Sequence, residues 1–124
     1  MRILILYTVS IVLAAVADGL MDAGGKITAH SLEAVSVLAL LVVPFVHKHR
    51  GGWGWYIAAY LCLRIGLFDP MYNLAAGNEL FFHGTTSLWD MLTGAFNPPV
   101  VAELFGRAVF AFAGVMIAIQ QIRK

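Results

Sequence analysis

Asp18 and Asp22 stand four residues apart, and His30 and Glu33 three apart. On a helix, residues at those separations share a face. Carboxylates and imidazoles on short helix faces can aim at a common point, and both suit a divalent metal ion. Asp18, Asp22, His30 and Glu33 are therefore the candidate metal ligands, and a divalent metal ion is the one cofactor these residues suggest. Farther along, Arg64 precedes Asp69, and Tyr72 and Asn73 follow. Glu103 precedes Arg107 by four residues, the favoured order for a helical ion pair. Ionisable side chains within apolar segments are costly unless paired or solvated, and by default they mark functional positions. Two uses compete for them. In one, Arg64 and Arg107 neutralise two or more of Asp18, Asp22, Asp69 and Glu103 in an internal network that fixes which helices pair. In the other, Asp18, Asp22, His30, Glu33, Arg64, Asp69, Tyr72 and Asn73 line a polar pocket. Glu103 and Arg107 are read as structural.

The elements that must position these residues are helices in lipid. Hydrophobic residues make up 60% of the chain and charged residues 12%, against ~25% charged in a soluble domain. So apolar a chain would leave large exposed patches in water. At 124 residues it is expected to form a single domain. Four apolar segments, over about 3–21, 30–46, 53–68 and 98–122, approach or reach the ~17–25 residues of a membrane span. The expected fold is all-α, a four-helix transmembrane bundle. Gly24-Gly25 is expected to close the first helix, and Thr28 to cap the second. The run His47-Lys48-His49-Arg50 opens a polar turn. Asp69-Pro70 is expected to stop the third helix, and Asn97-Pro98 to start the fourth.

The longest connection, 70–97, is an outer loop with its own structure. Ser87-Leu88-Trp89-Asp90 matches a capping box, which predicts a short interfacial helix over about 88–96 with Asp90 in a capping role. Trp53, Trp55 and Tyr56 form an interfacial aromatic belt. At the N-terminus, Met1-Arg2, an apolar run and Ala15-Val16-Ala17 resemble a secretory signal with a cleavage site. Retention as the first span is preferred, because cleavage would leave Asp18 and Asp22 on a loose end.

Positive charge sets orientation. With four spans, Arg2, Lys48, Arg50, Arg123 and Lys124 share one side, and Lys26 alone lies in a loop on the other. Both termini are therefore expected in the cytoplasm. The seven acids, Asp18, Asp22, Glu33, Asp69, Glu79, Asp90 and Glu103, then fall in or beyond the outer half.

Several activities are excluded by what the chain lacks. A net charge of +1 with no Lys/Arg cluster is not that of a nucleic-acid binder. Cys62 has no partner for a disulfide, and no Cys/His zinc spacing exists. Intramembrane aspartyl-protease, His-Glu-x-x-His and Gly-x-Ser-x-Gly motifs are absent. Asp18-Gly19 followed by Asp22 resembles a fragment of the CDP-alcohol phosphotransferase motif, without its Ala-Arg pair or its second aspartate set. The stretch Arg64-Ile-Gly-Leu-Phe-Asp-Pro-Met-Tyr-Asn73, followed by Gly84-Thr-Thr-Ser-Leu-Trp-Asp90, resembles a pattern in small uncharacterised bacterial and phage-associated integral membrane proteins. The resemblance implies a bacterial inner-membrane location and brings no activity with it.

The expected function is that of a small polytopic membrane protein whose outward-facing polar pocket binds a cation, a lipid headgroup or a polar small molecule. A second expectation is a membrane-embedded, metal-dependent hydrolase or transferase on a lipid-linked substrate, with Asp22 or Glu33 as base or ligand. A third is a structural or accessory subunit that uses Gly66, Gly106 and Gly114 for close helix approach. The expected partners are the lipid bilayer and a second copy or another membrane protein. The residue pattern leaves open whether a reaction is catalysed.

Overall fold

A computed structural model describes residues 2–46, 53–80 and 100–123, and these are all-helical apart from short turns. Among them, four helices follow one another: α1 (Arg2–Asp22), α2 (Lys26–Val46), α3 (Trp53–Ala76) and α4 (Val100–Arg123). Three of these, α1, α2 and α4, are long and apolar enough to cross a membrane, as fits a membrane protein. The other, α3, carries Arg64 and Asp69 in its middle. The interfacial helix expected over 88–96, its cap Asp90 and the Asn97-Pro98 start of the fourth helix lie outside the described residues, as does the 47–52 turn.

Two helix ends follow from glycine. Gly24 takes a φ of 92°, where an L side chain would be strained, and Gly25 N–H bonds back to the Leu20 carbonyl at 2.7 Å while Gly24 N–H bonds to Met21 at 3.1 Å. This paired closure is a Schellman cap, and it ends α1 where the Gly-Gly pair predicts. Gly77, at a φ of 76°, ends α3 the same way, with Asn78 N–H on the Asn73 carbonyl at 2.9 Å.

The expected stop at Asp69-Pro70 is corrected. Pro70 lies inside α3, which continues to Ala76. Proline lacks an N–H, so the Gly66 carbonyl loses its helical donor. The neighbouring Ile65 carbonyl receives a bond from Arg107 Nη1 at 3.4 Å, which puts a donor beside the break. The turns after Pro70 are held by tertiary contact, because Gly19 on α1 lets Tyr72, Ala75 and Ala76 come close. The expected Thr28 cap is corrected as well. The Gly25 carbonyl accepts the first bond of α2, from Ala29 N–H at 3.0 Å, so Gly25 holds the capping position and Thr28 lies inside the helix.

Helices α1 and α3 form the centre of the molecule. They pack on each other, α2 packs on α1, and α4 packs on α3. The core joins Ile3, Tyr7 and Ile11 of α1 to Val43 of α2, to Tyr56, Ala59 and Leu63 of α3, and to Ala118 of α4. Between α1 and α2 lies a buried polar clasp. Ser36 Oγ donates to the Ser10 carbonyl at 2.9 Å, which uses its one hydrogen, so the Ser10 hydroxyl donates across the 3.1 Å contact to Ser36 Oγ. The outer helices keep large apolar residues exposed, among them Leu38 and Leu41 on α2 and Phe105 and Phe112 on α4.

The crossing of α3 and α4 depends on absent side chains. A Cβ at Gly66 would sit 2.7 Å from Ala111 Cβ and 2.9 Å from the Arg107 carbonyl, and one at Gly114 would sit 2.9 Å from the Ala59 carbonyl. Gly66 and Gly114 thus serve contacts within the chain. Gly106 differs, with nothing within 4 Å of the position its Cβ would take. Gly66→Ala should therefore lower thermal stability in detergent by about 1–3 kcal/mol through overpacking. Gly106→Ala should leave it unchanged or raise it by up to about 1 kcal/mol through helix propensity. Equal effects of the two substitutions, followed by circular dichroism melts, would contradict the close α3–α4 crossing.

Candidate functional site

Arg64 and Asp69 are five residues apart on α3, which turns them about 140° from each other at 3.6 residues per turn. They accordingly belong to two different polar groups. Asp69 faces α4. Arg107 Nη1 donates to Asp69 Oδ2 at 2.8 Å, and Arg107 Nε and Nη2 donate to Glu103 Oε1 at 2.9 and 2.7 Å. The Arg107 and Glu103 side chains are 5% and 0% exposed, and that of Asp69 is 17% exposed. The helical spacing of Glu103 and Arg107 produces one arm of this clasp, and the α3–α4 crossing at Gly66 supplies the other.

Arg64 faces the α1 side. Its guanidinium carbon lies 4.0 Å over the centre of the Phe68 ring, and Phe68 stacks on Tyr72 at 6.5 Å with an interplanar angle of 6°. The Tyr72 hydroxyl donates to Asp22 Oδ2. Arg64, Phe68 and Tyr72 recur every four residues, which builds a column along one face of α3. On α1, Asp18 and Asp22 keep the same spacing. The charges that act on Asp18 are Arg64, Glu33 and Asp22, so residues of α1, α2 and α3 share this group. Among the described residues Arg64 makes no direct ion pair. The expected network is thus built on Arg107, with Arg64 left to its ring contact and to longer-range charge.

Asn73 is buried at the end of α3, where its Nδ2 donates to the Leu80 carbonyl at 3.2 Å and ties the helix to the chain beyond it. Tyr72 and Asn73, expected in the outer loop, are therefore helical residues of α3. His30 and Glu33 approach to 3.6 Å on α2, with side chains 65% and 57% exposed. A pair so open is worth little, on the order of 1 kcal/mol or less. Among the described residues no three His, Cys, Asp or Glu side chains come together to hold a metal ion. The four candidate ligands Asp18, Asp22, His30 and Glu33, for which the spacing predicts a common point, do not converge as a metal-holding set in this arrangement.

Phe68 was not singled out by its chemistry, yet its place midway between Arg64 and Tyr72 on one helical face signals its role. Gly19, one residue after Asp18, is the other element of the group that the charges did not point to. It lets the α1 backbone meet Tyr72, Ala75 and Ala76, which brings the Tyr72 hydroxyl to Asp22.

The two arginines should differ sharply on substitution. Arg107→Leu strands two carboxylates in a packed interior and should cost about 3–5 kcal/mol, or prevent folding. Arg64→Leu loses a ring contact of about 0.5–2 kcal/mol. Thermal melts in detergent that ranked the two in the opposite order would refute this division of roles.

Compared with protein-family models, curated proteins and solved structures, the chain matches none.

Proposed function

We propose that the protein is a small polytopic membrane protein that binds a cationic group, as a free cation or as part of a lipid headgroup or polar small molecule, at the outer ends of α1, α2 and α3. The observation that carries this reading is the division of charge. Arg107 is consumed by Asp69 and Glu103, whereas Asp18, Asp22 and Glu33 are exposed, and the opposite charge that acts on Asp18 is that of Arg64. Lys26, at the start of α2, adds a further fixed positive charge among the described residues. Three carboxylates against two basic residues leave a surplus of negative charge, so the group favours a positive ligand. An organic ammonium suits it better than a bare divalent ion, which would need several oxygen or nitrogen ligands drawn to one point.

In this reading all four helices span the bilayer as a transmembrane bundle, with α3 tolerated because Asp69 is paired on Arg107 and Arg64, in mid-helix, lies over the Phe68 ring and acts on Asp18. The uncovered apolar faces of α2 and α4 meet lipid. The basic residues at the other end put both termini in the cytoplasm, in a bacterial inner membrane.

Two experiments test the reading. Reporter fusions at Arg50 and Asn78 should place Arg50 in the cytoplasm and Asn78 outside, and the reverse result would overturn the orientation. Titration of the detergent-purified protein with ethanolamine and, separately, with Mg²⁺ should show saturable stabilisation by the amine that is weakened several-fold in Asp18→Asn and Glu33→Gln. No stabilisation by either probe, or an effect untouched by both substitutions, would sink the cation-binding proposal.

A further inference from the structure

Arg64 lies half-buried in the middle of α3. A guanidinium carries five N–H donors, yet among the described residues no hydrogen bond or ion pair reaches this one. Its close contact is the Phe68 ring, 4.0 Å from the guanidinium carbon. In a chain that spans lipid, a cation at such a position is costly without an acceptor. The acids across the seam stand at a different level. α1 and α3 run in the same direction, since Tyr7 meets Tyr60 near one end and Asp22 meets Tyr72 near the other. Gly19, between Asp18 and Asp22, also packs at the level of Tyr72. The Phe68 contact puts the guanidinium one turn of α3 short of that level. Toward the helix ends the seam therefore presents positive charge first and negative charge second, about 5.4 Å farther on.

We propose that this seam binds a zwitterion in which a phosphate and a primary ammonium are joined by a two-carbon bridge, the phosphate on Arg64 and the ammonium on Asp18 and Asp22. The inference rests on the cation-binding reading above and adds the anionic half of the ligand. The planar fork of arginine matches a phosphate with two parallel hydrogen bonds. The opposite order of charge in ligand and seam makes the two complementary. The ammonium must keep its N–H donors. A quaternary ammonium relies on aromatic faces, and along the helix Phe68 already has Arg64 on one side and Tyr72, stacked at 6°, on the other. A phosphate without an ammonium would leave Asp18 and Asp22 unmatched. An ethanolamine phospholipid carries its phosphate next to the acyl chains and its ammonium at the free end, the order of the seam from mid-helix outward. Glycerophosphoethanolamine offers the same chemistry from solution.

The test is a thermal-shift titration of the delipidated full-length protein in detergent with ethanolamine, glycerophosphoethanolamine, and short-chain phosphatidylethanolamine, phosphatidylcholine and phosphatidylglycerol. Phosphatidylethanolamine should bind several-fold more tightly than ethanolamine and than the other two lipids. Arg64→Gln should bring the affinities for phosphatidylethanolamine and ethanolamine together, Arg64→Lys should restore part of the difference, and Asp18→Asn should weaken both. If Arg64→Gln does not fold, the ligand series on the unchanged protein decides. Glycerophosphoethanolamine as tight as the lipid would support a soluble zwitterion, and a weaker one would support the headgroup. Saturable binding of ethanolamine with no gain from the phosphate would overturn this inference and leave the cation-binding reading standing. Phosphatidylcholine or phosphatidylglycerol equal to phosphatidylethanolamine would overturn it too. No binding by any amine would overturn both.

Discussion

A guanidinium held between two carboxylates in a packed interior is the constraint on which the rest of this structure depends. Burying three charges is expensive, and the arrangement holds only because Arg107 turns three of its nitrogens onto Asp69 and Glu103 within 3 Å. Removing one member would strand the others at a cost of several kcal/mol. This bond set fixes the register of α4 on α3, since a slide by one residue would point Arg107 away from Asp69. Gly66 must then be a glycine, because its missing side chain is what lets the Arg107 backbone approach. Pro70 depends on the same contact. Its break in the α3 hydrogen-bond ladder lies beside the Ile65 carbonyl that Arg107 reaches.

The opposite face of α3 is held by different physics. There the contacts are aromatic and neutral, with a ring under Arg64, a stacked Tyr72 and a hydroxyl on Asp22. Such contacts are individually weak, about 0.5–2 kcal/mol, and they leave Asp18 and Arg64 in reach of solvent. One helix thus carries a sealed charge group and an open one, separated by the turn that places Arg64 and Asp69 on different sides.

Much of this was legible in the sequence. Hydrophobic runs marked the helices, Gly24-Gly25 marked the first boundary, and the four-residue spacing of Glu103 and Arg107 marked their pairing. The later end of α3 was harder to read, because proline is a strong local stop signal and the contacts that carry the helix past Pro70 come from Gly19 and Asp22, some fifty residues earlier. Gly77-Asn78 was the true boundary signal and lay further along. Which arginine met which acid was also hidden. Spacing along one helix shows which residues share a face, but the partner of Asp69 depends on how α4 crosses α3. That Asp18, Asp22, His30 and Glu33 do not converge as a metal-holding set has the same origin, since the angle between α1 and α2 is a tertiary property.

The packing order of the helices has a consequence for assembly. α1 with α2, and α3 with α4, are two sequence-adjacent hairpins, each with its own polar fastening: the Ser10–Ser36 bond in the first and the Arg107 clasp in the second. The joint between the hairpins is almost entirely the α1–α3 seam. That seam holds Gly19, Tyr72 and Asp22, next to the open polar group. The molecule is therefore two hairpins, each with its own polar fastening, that meet along the α1–α3 seam, and a change at that seam would move the hairpins relative to each other and with them the residues of the open polar group.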